Sequence, residues 1–255
     1  MWDVVEYLGL AAIPAFMLLD LVARRRSFET PKHWRLRALA VSVVGIALSI
    51  PVTLLWAWVF DGVSLLDASG LGIAAGAVLG ILVYEFVHYW YHRAAHRSDF
   101  LWRWAHQMHH SAESIDAFGA NYVHPLDLFF WTTWPSLVFF PLLGLRPEAG
   151  VLASSFVAFN AMFQHANIRT PRWLGYIIQR PESHGVHHQR GKHRSNYADL
   201  PLWDMVFGTF ENPASFDEEA GFYTGASSRL GAMLLGRDVA EPPAAADAAA
   251  ERRAA

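Results

Sequence analysis

The sequence predicts an all-α fold: a multi-pass membrane bundle of about four to five hydrophobic helices carrying a cytoplasmic, His-rich helical cap. Three observations predict it. Hydrophobic residues make up 53% of the 255-residue chain and charged residues 17%, against about 25% charged in ordinary soluble domains. Apolar runs of membrane-crossing length recur along it. Twelve of the 13 histidines fall between His88 and His193, at spacings that place them on shared helix faces.

The first apolar run covers residues 4–22 and contains Pro14, which predicts a kinked helix. Met1-Trp2-Asp3 ahead of it lacks the basic flank of a signal peptide, so the helix is expected to be retained. Arg24, Arg25, Arg26, Lys32, Arg35 and Arg37 come next. A second run, 38–60, and a third, 71–91, are each long enough to span a hydrocarbon core of about 30 Å. The loop between them, 61–70, carries acids and no Lys or Arg. Basic excess marks the cytoplasmic side. The 24–37 loop is therefore expected there, and the third helix returns Arg93, Arg97 and Arg103 to it.

Runs 126–143 and 150–165, joined by a Gly-Leu-Arg-Pro turn at 144–147, make a further hairpin. Their lengths lie near the lower limit for spanning, so they either cross or re-enter. This topology puts every histidine from His92 to His193 on one face of a bacterial inner membrane or endoplasmic reticulum. Residues 167–211 are polar, with Trp173 and Trp203 as interfacial anchors. The expected division is an N-terminal transmembrane hairpin over 1–70, a His-box unit over 71–212, and a C-terminal extension over 213–255. The extension is expected to be largely a disordered tail, rich in Ala and charge over 241–255.

Composition also excludes chemistry. A net charge of -3 gives no global basic field, so no nucleic-acid partner is expected. The absence of Cys removes disulfides, iron–sulfur clusters, Cys-ligated zinc and thiol catalysis. No Gly-x-Gly-x-x-Gly loop follows a strand, so any redox reaction needs electrons from a separate donor.

The histidines fall into three clusters. The first is His92-x3-His96, with His88 one turn earlier. The second is His106-x2-His109-His110, and the third His184-x2-His187-His188. Positions i, i+3 and i+4 lie on one helix face, which is how helical bundles build metal sites. Eight histidines exceed what one ion needs, whereas two adjacent ions can use them. His165, at the end of the last apolar run, is a ninth candidate ligand, and His124, in Val123-His124-Pro125, a tenth. His88, His193, Asn196 and Asp204 are candidates to support the ligands. His33 stands apart and is expected to be a bystander.

These boxes resemble those of the fatty acid hydroxylase/sterol desaturase superfamily, the membrane-bound histidine-box di-iron oxygenases. The resemblance rests on Tyr89-Trp90-Tyr91-His92-Arg93-Ala94-Ala95-His96, then Trp102-Arg103-Trp104-Ala105-His106-Gln107-Met108-His109-His110-Ser111, then His124-Pro125 and His165. It continues through His184-Gly185-Val186-His187-His188 and Asn196-Tyr197 to Trp203-Asp204-Met205-Val206-Phe207-Gly208-Thr209. It covers residues 75–212. Departures are His88 where relatives often hold Asp, Ala198 where Gly is common, and Met205 where Arg is common. Arg169 stands where some fatty acid 2-hydroxylases have a further His, which makes His124 the better extra ligand.

The resemblance implies two iron ions (with zinc able to replace them on purification), O2 as co-substrate, and electrons from a ferredoxin or cytochrome with its reductase. It implies hydroxylation or desaturation of a C–H bond in a sterol, acyl chain, carotenoid or ether lipid. Helices over 71–86, 129–140 and 156–163 are expected to line the lipid cavity. The competing chemistry is a zinc-dependent membrane hydrolase or lyase using a subset of the histidines, with Glu113 or Glu182 as its base. Arg93 and Arg97 are expected to pair with Glu113, Asp116 or a lipid head group, or simply to be interfacial charges.

Overall fold

The computed structural model describes residues 2–243, with side chains from residue 11 onward. The elements are α1 (Trp2–Val22), α2 (Trp34–Val59), α3 (Ile73–Ala95), α4 (Asp99–Leu101), α5 (Gln107–His110), α6 (Pro125–Leu137), α7 (Pro147–His165), α8 (Pro181–His188), α9 (Pro201–Phe207) and α10 (Leu230–Leu234). Wider π turns, Trp102–His106 and Val138–Leu142, precede α5 and extend α6. Among the described residues there is no strand, only one antiparallel bridge between Gln189 and Ala220. The protein is all-helical, as expected.

Helix starts follow local chemistry. Pro stands at the first position of α6, α7, α8 and α9, where its missing N–H costs nothing and its fixed φ suits the turn. α9 ends at Gly208, whose φ of 72 supplies the left-handed cap.

Among the described residues two helices, α2 and α3, are long and apolar enough to cross a membrane. At 1.5 Å per residue they are about 39 and 35 Å long, more than the roughly 30 Å of hydrocarbon. α2 leaves Leu36, Val43, Val44, Leu54 and Trp58 more than half exposed, which suits lipid and not water. Within the described side chains, α1 contributes a further apolar stretch, Ala11–Val22. Among the described residues, α1 packs chiefly on α7 and α2 on α6. α3 also packs on α7. Small residues allow this, since a Cβ at Gly76 would stand 3.1 Å from Ala149 Cβ on α7.

The chain beyond 212 is described as far as 243, and that part is packed. Glu113 accepts hydrogen bonds from Gly225 N, Ser227 N and Ser227 Oγ. Gln107 donates to Arg237 O and accepts from Val239 N. Met233 and Val239 join Met108, Trp34 and Tyr122 in one core. Residues 213–243 therefore strap the outer side of α5. The remainder of the expected tail, 244–255, lies outside the described residues.

Candidate metal centre

Nine of the ten expected ligands meet, in two adjacent groups. His92, His96, His106, His110 and His187 each bring a ring nitrogen within 4.8 Å of the others, and His109, His165, His184 and His188 do the same. The helix period explains the split. His106 and His110, four apart, serve the five-membered group, while His109 turns to the four-membered one. In α8 the roles reverse: His184 and His188 serve the four-membered group and His187 crosses to the other. Each His-x2-His-His run thus feeds both groups. The end of α3 supplies His92 and His96, and the end of α7 supplies His165. The groups touch, since the rings of His110 and His188 stack with centroids 4.2 Å apart. All nine are buried except His96, which is half-buried.

The outer ring nitrogens set the tautomers. His92 Nδ1 lies 2.7 Å from Tyr197 O, His187 Nδ1 2.6 Å from Ser195 O, His165 Nδ1 2.8 Å from Ala161 O and His106 Nδ1 2.8 Å from Asp127 Oδ2. These partners accept, so Nδ1 carries the proton and Nε2 offers its lone pair inward. The inner atoms then face one another: His92–His106 at 2.9 Å, His106–His110 at 3.0 Å, His109–His165 at 3.2 Å, and His165–His184 and His184–His188 at 3.0 Å, all Nε2 to Nε2. Facing lone pairs repel unless a cation lies among them. Two nitrogens at right angles on an ion about 2.1 Å away stand about 3.0 Å apart. Burial foremost, and neighbouring imidazoles next, hold His109, His110, His184, His187 and His188 well below the usual histidine range. These five rings are therefore neutral at pH 7, the form that binds metal. The donor set fits metal ions, and nine imidazoles are more than one ion can use.

Carboxylates and carbonyls stand behind the rings. Asp127, fully buried, takes His106 Nδ1–H on one oxygen and the Tyr91 hydroxyl (2.6 Å) on the other. Sequence reasoning missed it, although an acid two residues after His124-Pro125, inside an apolar run, is itself a signal. Asp204 accepts Tyr197 N and Ala198 N, both at 2.8 Å, and so holds the carbonyl that orients His92. Asn196, at φ 52, ties Ser183 O on α8 to Glu211 and fixes the turn whose Ser195 carbonyl orients His187. His193 Nδ1 lies 3.0 Å from His110 Nδ1. His88 stacks on His92 with centroids 5.5 Å apart.

Several expectations are corrected. His124 is in neither group: its Nδ1 accepts Leu126 N (3.1 Å) as the N-cap of α6. Its Nδ1 is committed to the helix start and its Nε2 lies 3.5 Å from Leu234 O, so it stands outside both groups. Glu182 is engaged by Thr170 and Arg180 and Glu113 by Gly225 and Ser227, so neither faces the imidazoles as a hydrolase base. Asp116 binds Trp34, Ser114 and Gly119, while Arg93 donates to Tyr89 Oη and lies over the Trp90 ring. The helices expected to line a cavity are packed together by Ala77, Tyr84, Phe139 and Ala153. An apolar cavity of about 310 Å³ lies instead between α2, the start of α6 and α10, with Met108 among its lining residues.

Helices with an exposed apolar face around two clustered imidazole groups suit a membrane protein with a histidine core able to hold metal. The family described as fatty acid hydroxylase matches residues 77–209, more than half of the chain, and the protein belongs to this family. Sphinganine C4-monooxygenase 1 of Arabidopsis thaliana is 28% identical over 160 residues, 60% of this chain and 61% of that protein. Alkylglycerol monooxygenase of Homo sapiens is 35% identical over 142 residues, covering 53% and 30%. The ornithine lipid hydroxylase of Rhizobium tropici is 32% identical over 146 residues, covering 55% and 43%. The chain thus spans less than two thirds of the length of each of these relatives. No solved structure matches it.

Proposed function

We propose that this protein is a multi-pass membrane oxygenase that uses O2 and two histidine-bound irons to hydroxylate a C–H bond of a lipid. The observation that carries this is the pair of touching groups of neutral imidazoles beside lipid-exposed helices. When bound, the irons supply O2 activation and the oxidation of an unactivated C–H bond. The reaction consumes O2, R–H, two electrons and two protons and yields R–OH and water. Desaturation is the other outcome open to the same site, and hydroxylation is favoured because it needs one hydrogen abstraction.

The chain's own residues do the rest. Asp127 and the carbonyls of Tyr197, Ser195 and Ala161 hold four rings with Nε2 inward. Burial of the ligands keeps bulk water away. The apolar cavity against α2 suits an alkyl chain entering from the bilayer. The names of the relatives support a long-chain lipid substrate, since they act on sphinganine, alkylglycerols and ornithine lipids. The five-membered group nears the surface at an opening lined by His96, Arg97, Ser98, Asp99, Trp102 and His193. A ferredoxin or cytochrome donor docks there, on the cytoplasmic face.

The test uses the full chain in mild detergent, loaded with Fe(II) without oxygen. A His187→Ala, His188→Ala double variant should hold about two fewer irons than the parent, because it removes one ligand from each group. With reductant, 18O2 and a lipid extract, the parent should place label in lipid. Unchanged iron in the variant, or O2 uptake with neither labelled nor newly unsaturated lipid, would overturn the proposal.

A further inference from the structure

A third cluster lies outside both histidine groups, where α3 meets the loop ahead of α9. Glu85, His88 and Asp199 each bring a ligand-type atom within 4.8 Å of the other two, and all three are buried. Part of the cluster is satisfied locally. Glu85 Oε2 accepts Asp199 N (2.9 Å) and Leu200 N (3.1 Å), and Asp199 Oδ1 accepts Gln164 Nε2 (2.9 Å). The rest is not: Glu85 Oε1 and both ring nitrogens of His88, which is 3% exposed, have no hydrogen-bond partner.

Either neutral tautomer of His88 would leave an N–H without an acceptor, which is costly in a buried site. Two carboxylates brought together beside it, one of them on a helix long enough to cross a membrane, add a further cost unless a proton or a cation offsets it. No hydrogen bond joins the three side chains, although their atoms converge. An ion about 2.1 Å from each donor holds two of them at most about 4.2 Å apart, so atoms already within 4.8 Å of one another need only a small inward shift to share one.

We propose that Glu85, His88 and Asp199 form a third metal site that binds one divalent cation such as Zn2+ or Mn2+. Two carboxylates and one imidazole make a harder donor set than the all-imidazole groups. Their two negative charges balance a divalent ion, so the site is neutral when filled. The ion ties α3 to the 199–200 loop and backs the His88 ring that stacks on His92. The site is independent of which metal fills the histidine groups and of the reaction they perform.

The test counts metal. The full chain in detergent is stripped with chelator, re-equilibrated with Zn2+ alone, freed of excess and measured by mass spectrometry. Wild type is expected to hold about three zinc ions per chain, the Glu85→Gln, Asp199→Asn variant about two, and the His187→Ala, His188→Ala variant about one. A wild-type count of two overturns the proposal, as does a count of three kept by the folded carboxylate variant. Where the double carboxylate variant elutes aggregated, the single Asp199→Asn variant takes its place, and the wild-type count decides regardless. The size of the loss in the histidine variant speaks to the oxygenase proposal and not to this one.

Discussion

Asp127→Asn removes one charge from behind the metal centre and leaves the volume unchanged. Asp127 and His106 are both fully buried, so no solvent screens the change. The carboxylate accepts two hydrogen bonds, from His106 Nδ1 at 2.8 Å and from the Tyr91 hydroxyl at 2.6 Å. The amide has one oxygen. Facing His106, it keeps the tautomer but loses charge assistance, and Tyr91 must turn from donor to acceptor. Facing Tyr91, it puts an N–H against Nδ1, forces the proton onto Nε2 and removes His106 from its group. A net hydrogen bond to a charged partner contributes about 1.5–3 kcal/mol and a neutral one about 0.5–1.5. The first orientation therefore costs about 1–2 kcal/mol, or about 5- to 30-fold in metal affinity, within the range known for outer partners of metal-bound imidazoles. Chelator competition on the full chain in detergent measures it. One metal should weaken by about tenfold while that of the four-membered group holds, and Tyr91→Phe should weaken it less because the charge remains. Wild-type affinity for every metal in Asp127→Asn would refute the reasoning. So would equal weakening of all metals with a lowered melting temperature.

Three further outcomes follow from the same geometry. His124→Ala should cost about 1 kcal/mol through the lost α6 cap and leave the metal count unchanged, so a lost metal would restore His124 as a ligand. In the metal-free chain, burial, and His106 next, lower His193 to about 4, while an unfolded histidine titrates near 6.5. The unfolded state then binds more protons below about 6.5, so this stability is full above that pH and is lost as pH falls toward 4; a melting temperature flat across that window would contradict it. Gly185→Ala should lower both the melting temperature and the occupancy of both groups, because a Cβ there meets the Phe216 ring and α8 feeds both; overpacking of this kind costs about 1–3 kcal/mol, and adding Phe216→Ala should restore much of the occupancy.

Much of the site was legible because helix periodicity is short-range. The spacing of His92 and His96, and of each His-x2-His-His run, survives folding as shared faces, and His165 could be placed from topology alone. The split between groups was not legible. It depends on where α5 and α8 lie relative to each other, and on the π turn at Trp102–His106 that sets the phase ahead of His109 and His110. His124 misled because a histidine before proline at a helix start is also a cap, and local spacing does not separate the two uses. Asp127, Glu85 and Asp199 went unread because their partners are 21, 114 and 35 residues away. In the fold, α2 and α3 stood out by length and apolarity, whereas the strap over 213–243 carries a composition that reads as loop and is held by distant Glu113 and Gln107.

The two groups are not equivalent, and the difference lies behind the ligands. Neutral imidazoles add no negative charge, so stabilisation of a cation must come from what polarises them outward. In the five-membered group three rings have their Nδ1–H held by an acceptor, and one acceptor, Asp127, is a full carboxylate. In the four-membered group only His165 is so held, by a carbonyl, while the Nδ1 atoms of His109, His184 and His188 have no partner. Held rings are better oriented and more basic, so the five-membered group is the stronger electrostatic trap. It is also the group nearest the opening at His96 and His193. The more strongly braced group is thus the one nearest the surface, and the less braced one lies deeper.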